Sequence, residues 1–203
     1  MKKIIIVDYG MGNVGSVLNM FKRIGVDAEI TSDLHQIADA QKILLPGVGS
    51  FDHAMRRIFD DGFKEVLDKK ALIDKVPILG ICLGMQLLTR GSEEGDLPGL
   101  GWIAADTLKF PLMPSLKVPH MGWNIVKPIT PCLLTENLPE DSRYYFVHSY
   151  FVKVDKVENS LLRTTHGIEF DSAINAGNIY GTQFHPEKSH KFGMELLRNF
   201  SKI

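Results

Sequence analysis

Ile4-Ile5-Ile6-Val7 is a run of four β-branched apolar residues with no polar residue between them. A strand with one wet face alternates apolar and polar side chains, so an unbroken run needs cover on both faces, as in a parallel sheet. That requirement points to an α/β fold with helices on both sides of a mainly parallel sheet. The next segments of the chain fit it. The run ends at Asp8-Tyr9-Gly10-Met11-Gly12, and after Asn13 apolar residues recur at Val14, Val17, Leu18, Phe21 and Ile24, one face of a helix closed by Gly25. Val26, Ala28 and Ile30 alternate with Asp27 and Glu29, Ile43-Leu44-Leu45 stops at Pro46-Gly47-Val48-Gly49, and Pro77-Ile78-Leu79-Gly80-Ile81 is the next buried strand. Phe51 to about Lys70 is predicted to be helical, with Ala54, Ile58 and Leu67 inward and Gly62 as a weak point. Residues 91 to 131 hold short strand-like segments between Pro and Gly, and a final amphipathic helix is expected from about Phe192 to Phe200. With no linker, repeat or low-complexity block, one domain spanning residues 1–203 is expected.

Composition removes several function classes. Lys and Arg total 23 against 24 Asp and Glu, so no excess positive potential is available for nucleic acid or an anionic membrane. Two cysteines are too few for a disulfide scaffold or a cysteine-rich zinc site, and each is expected to be a free thiol in a reducing compartment. The N-terminal apolar run stops at Asp8, short of a signal-peptide core, and no stretch is long enough to span a membrane; a cytoplasmic protein is expected.

Gly80-Ile81-Cys82-Leu83-Gly84 sets a thiol between glycines at a strand-to-helix junction, the cysteine counterpart of the Gly-x-Ser-x-Gly nucleophile elbow. A thiol there meets the positive end of a helix dipole and free backbone N–H groups, which favour the thiolate and a developing oxyanion. The competing reading of Cys82 is a small buried hydrophobe, and Cys132, without such a setting, is taken as structural. A nucleophilic cysteine needs a base held by a third group. In Gln183-Phe184-His185-Pro186-Glu187, Pro186 disfavours helix for His185, and in extended chain residues i and i+2 share a side, so Glu187 is able to hold one ring nitrogen while the other faces the thiol. A surface turn or a metal-ligand pair are the alternatives, and no further metal ligand lies at a useful spacing. Pro46-Gly47-Val48-Gly49 is either an ordinary loop or a place where backbone N–H groups approach a substrate oxygen. Tyr144 to Tyr150, including His148, reads as a packed aromatic strand, and Val118 to Asn124, with Trp123, as a partner surface or a buried loop.

Taken together, Gly80-Ile81-Cys82-Leu83-Gly84-Met85-Gln86 and Gln183-Phe184-His185-Pro186-Glu187 resemble the class I (triad) glutamine amidotransferases, which have a flavodoxin-like mixed, mainly parallel sheet flanked by helices. Asp8 to Asn13, Pro46 to Phe51, Pro119 to Asn124, Tyr145 to Tyr150 and His185 to Ser189 resemble the glutaminase subunits of imidazole glycerol phosphate synthases. The resemblance implies Cys82 as nucleophile on the glutamine amide, His185 as proton carrier and Glu187 as its orienter. It implies oxyanion donors near Val48, Gly49 and Leu83, and glutamine contacts at Gln86, His148, Ser149 and Tyr150. It also implies no metal and no cofactor, and a heterodimer with a (β/α)8 cyclase that receives ammonia through an interface carrying Asn13, Trp123, Tyr145 and Lys188. Val14-Gly15-Ser16 departs from that pattern, and Ser189 to Met194 is closer to a second branch that supplies ammonia for amidino sugars of surface polysaccharide. A non-catalytic activator of the cyclase, or a free-standing cysteine peptidase sharing the elbow, are the readings from other classes.

Overall fold

The computed structural model describes residues 2–114 and 116–203. Strand β1 (Ile4–Val7) is buried throughout, with Ile4 and Ile6 in one apolar cluster and Ile5 and Val7 in another. Its unbroken pattern is thus met by cover on both faces, each fully buried aliphatic side chain contributing about 1.5–3 kcal/mol. Helix α1 (Val14–Arg23) begins where the Asn13 Oδ1 accepts the Ser16 N–H at 3.2 Å, and Gly25 at φ +72° closes it. Next come β2 (Ala28–Thr31), α2 (Leu34–Asp39) and β3 (Ile43–Gly47). The helix expected from Phe51 to about Lys70 is divided into α3 (Phe51–Asp60) and α4 (Phe63–Asp68), with a π-helical turn at Lys69–Ile73. The division falls at Gly62, whose φ of +77° no continuous helix accommodates.

The chain continues through β4 (Ile78–Cys82), α5 (Leu83–Leu87), β5 (Ala105–Lys109), β6 (His120–Ile125), β7 (Lys127–Pro128), β8 (Arg143–His148) and β9 (Tyr150–Val154). It ends with β10 (Ser160–His166), β11 (Ile168–Ala176), β12 (Ile179–Thr182) and α6 (His190–Lys202). The last helix starts at His190 rather than Phe192, because a 3-10 turn at Pro186–Lys188 leads straight into it, and it runs on to Lys202.

Among the described residues, ten strands form one sheet and β6 and β8 form a separate ribbon. The order β2-β1-β3-β4-β12 is parallel throughout, and β11, β10 and β7 extend it antiparallel, with β9 pairing β11 and β5. Helices α1 and α6 cover one face through Val17, Phe21, Leu196, Leu197 and Phe200; α3, α4 and α5 cover the other through Phe51, Ile58, Leu67 and Met85. Buried Lys42 donates from Nζ to the carbonyls of Phe200 and Ser201 at 2.9 and 2.7 Å, tying the end of α6 to the start of β3. Burial lowers its pKa to about 8. For the site, the decisive feature is that β12 lies beside β4. The carboxyl ends of β3, β4 and β12 therefore stand side by side, where open α/β sheets place their ligands.

Candidate active site

Cys82 closes β4 with φ +55° and ψ −110°. A side chain in that region costs about 1–3 kcal/mol, so the surroundings must impose it. They do so through close packing. A Cβ on Gly80 would lie 2.5 Å from the Gly84 carbonyl oxygen, one on Gly47 would lie 2.6 Å from the Tyr9 hydroxyl, and one on Gly84 would run into the Leu45 carbonyl. The three glycines thus let the elbow seat against β3, while pairing to Gly47 on one side and of Ile81 to Thr182 on the other fixes the strand. Helix α5 spans only Leu83–Leu87, so the electrostatic resource at the sulfur is the local backbone N–H groups at its start more than a long-helix dipole.

His185 lies just past β12. Its N–H donates to the Tyr145 carbonyl at 2.9 Å, and Ser189 Oγ donates to its carbonyl at 2.6 Å while accepting the Tyr145 N–H at 2.9 Å, so the loop is fixed to β8. Its Nδ1–H donates to Glu187 Oε1 at 2.7 Å, with both side chains buried at 2% and 4% exposure. That geometry leaves Nε2 as the ring nitrogen not held by Glu187; it completes no hydrogen bond among the described residues. Burial opposes protonation of this imidazole, but the Cys82 thiolate and then the Glu187 carboxylate outweigh it and raise its pKa to about 10.

Cys82 and His185 open into a cavity of about 360 Å³, lined also by Val48, Gly49, Leu83, Gln86, Glu94, Pro119, Val147, His148, Ser149 and Tyr150. All of the residues expected to contact substrate or oxyanion line this one cavity, with Glu187 behind His185. Gly49, at φ +108°, sits two residues past the end of β3. Gln86 Nε2 donates to the Tyr150 carbonyl at 3.2 Å and to Gln183 Oε1 at 3.1 Å, and Gln183 Nε2 points to the Cys82 sulfur at 3.8 Å.

The glutamine amidotransferase class-I family profile matches residues 5–203. The chain belongs to the class-I glutamine amidotransferases. This amidotransferase is 56% identical over 199 residues to a Methanococcus maripaludis protein named imidazole glycerol phosphate synthase subunit HisH 2, covering 98% of each chain. It is 48% identical to the subunit HisH of Bdellovibrio bacteriovorus, again with 98% of each covered. Its fold matches the solved structure titled PurLQS from Thermotoga maritima with a TM-score of 0.73 at 18% identity, covering 100% of this chain and 99% of that one.

Outside the amidotransferase cavity, Trp123, Tyr145 and Lys188 form one patch. The Trp123 ring stacks on His190 at 5.6 Å and meets Tyr145 edge-on at 6.4 Å, and Lys188 Nζ lies 5.8 Å from the Tyr145 ring centre. Asn13 is exposed, and its side chain caps α1. Two polar residues at the site, Glu94 in the cavity wall and Gln183 buried beside the sulfur, had no role in the sequence reading. Glu94 is half-buried, accepts the Phe51 N–H at 3.0 Å, and has its pKa raised by burial. Gln183 stood inside the His185 motif but without a role; its signal was its place two residues before His185. Both cysteines are free, and burial pushes the Cys132 thiol pKa up. Among the described residues no helix is long and apolar enough to cross a membrane.

Proposed function

We propose that this chain is the glutaminase subunit of an imidazole glycerol phosphate synthase in histidine biosynthesis, acting in the cytoplasm as one amidotransferase domain over residues 1–203. The observation that carries it is the coincidence of a Cys82/His185–Glu187 arrangement in one cavity with 56% identity, across nearly the whole of both chains, to a relative of that name. In this reading Cys82 Sγ attacks the side-chain amide carbon of glutamine, and the resulting oxyanion faces the backbone N–H groups of Gly49 and Leu83. The imidazolium of His185 gives its Nε2 proton to the departing nitrogen, and ammonia leaves a γ-glutamyl thioester. His185 then takes a proton from water, whose oxygen attacks the thioester carbon; glutamate is released and Sγ is restored. Glu187 keeps Nδ1 as the protonated, non-reacting nitrogen throughout. Ammonia is mostly protonated in neutral water and then not nucleophilic, which favours direct passage into a (β/α)8 cyclase docked on the Trp123 patch.

A glutamine analogue with an electrophilic carbon in place of the amide tests this reading. Incubated with the chain and its cyclase, it is expected to add once, at Cys82, with Cys132 unmodified in the peptide mass map. No adduct, or one at Cys132, overturns the assignment.

Free glutamine also carries an α-ammonium, and Glu94 is the carboxylate lining the cavity. Glu94→Gln is therefore expected to raise the glutamine KM about tenfold while kcat stays within about threefold, the pattern for a lost charge contact in binding. An unchanged KM removes Glu94 from the substrate site.

A further inference from the structure

The ribbon of β6 and β8 carries a buried chain of polar groups that the chemistry above does not use. His120 pairs with His148 across the ribbon. His148 Nδ1 lies 2.6 Å from the Tyr150 carbonyl, His148 Nε2 lies 2.9 Å from His120 Nδ1, and His120 Nε2 lies 3.1 Å from Asn124 Nδ2. These contacts admit one assignment of protons for two neutral rings. A carbonyl only accepts, so His148 Nδ1 bears hydrogen and its Nε2 is an acceptor; His120 Nδ1 must then donate, which makes His120 Nε2 the acceptor for the Asn124 amide. The Asn124 amide is oriented independently: its oxygen accepts the Ile125 N–H at 2.8 Å and its nitrogen donates to the Thr165 carbonyl at 3.0 Å. Burial keeps both rings neutral, lowering the pKa of His120 to about 4 and of His148 to about 3. His166 stacks on His120 at 4.2 Å and closes the other side of the chain.

The end of this chain is the cavity wall. The Tyr150 carbonyl that takes the His148 proton also takes the Gln86 amide, and His148, Tyr150 and Gln86 all line the glutamine cavity. We propose that His120 and Asn124 are positioning residues for the glutaminase reaction, holding His148 and the Tyr150 carbonyl in the arrangement that fixes Gln86 against bound glutamine. The inference rests on the functional reading above and deepens it. Strand alternation adds a consequence: His120 and Asn124 point inward from β6, while Met121, Trp123 and Ile125 point outward with 63%, 45% and 57% exposure. The strand proposed to meet the cyclase is the strand that holds the relay.

The test uses the complex of the chain with its cyclase. His120→Phe removes the donor to His148, and His120→Asn restores one near the Nδ1 position. The glutamine KM is expected to rise about tenfold in His120→Phe, as for a buried acceptor left unpaired, and to return to within about threefold of the native value in His120→Asn. Ammonia-dependent synthesis by the cyclase should be unchanged in both. In nitrogen-15 spectra the His148 Nε2 signal of His120→Phe should lose the shift of a hydrogen-bonded acceptor, and His120→Asn should regain it. Asn124→Leu leaves both rings in place and is expected to raise the KM in the same direction, which keeps the test open if His120→Phe fails to fold. Native KM in His120→Phe or, where that variant does not fold, in Asn124→Leu overturns the inference. A native complex that uses ammonia but turns over no glutamine overturns the functional reading, and the inference with it.

Discussion

Cys82→Ala is expected to abolish glutamine-dependent synthesis, by about a thousandfold or more, while ammonia-dependent synthesis by the cyclase stays within about twofold of native. The chemical loss is total because no other thiol lines the cavity; Cys132 lies elsewhere, in the segment after β7. The structural loss is small. The sulfur's contacts are long, 3.8 Å from Gln183 Nε2 and 4.0 Å to the Val147 carbonyl, and alanine keeps the Cβ that the elbow already accommodates. Removing one partly packed sulfur costs about 1 kcal/mol, too little to undo the fold or the docking face. Parallel steady-state assays with glutamine and with ammonium salts separate the two. Equal loss with both nitrogen sources would show that Cys82 serves the architecture and not the hydrolysis.

The second large effect is on folding. Gly84→Ala adds one carbon, and that carbon meets the Leu45 carbonyl, part of the β3 backbone, where no side chain is able to swing away. Either the elbow lifts from β3 or the strand shifts, and β3 leads directly into the Val48-Gly49 segment that lines the cavity. A loss of about 3 kcal/mol or more in denaturant unfolding is expected, with Cys82 unreactive toward the glutamine analogue in whatever fraction folds. Gly177→Ala is the control. At φ +59° with nothing within 4 Å of the added carbon, it meets only backbone strain, about 1 kcal/mol. If the two variants unfold at the same denaturant concentration, the close seating of Gly84 does not matter.

What the sequence made legible was local. Ile4 to Val7 announces a doubly covered strand because four consecutive apolar residues have no other economical home, and the elbow announces itself because two glycines around a cysteine are needed for one tight turn. His185 and Glu187 were readable together because proline removes the helical option between them. The His120–His148 contact was not readable, since it depends on the register of two strands separated by a long irregular stretch, and register is set by tertiary packing. Glu94 was hidden for the same reason: it lies in a loop brought to the cavity by tertiary contacts, its carboxylate accepting the first N–H of α3 and Asp52 of that helix accepting the N–H groups of Asp96 and Leu97. Gly62 shows the intermediate case, where the residue marked the break in the helix but not the direction in which the chain would leave.

The place of β12 beside β4 also sets the order in which a growing chain becomes an enzyme. Strands β1 to β4 and the elbow at Cys82 are complete by Leu87, yet the strand that brings His185 to the sulfur is β12, the last in order among the described residues. A ribosome that has released Cys82 still has about a hundred residues to add before His185 stands next to it. The thiol therefore waits over that whole interval without His185 beside it, and the cavity is complete only when the sheet, and the ribbon beside it, have closed.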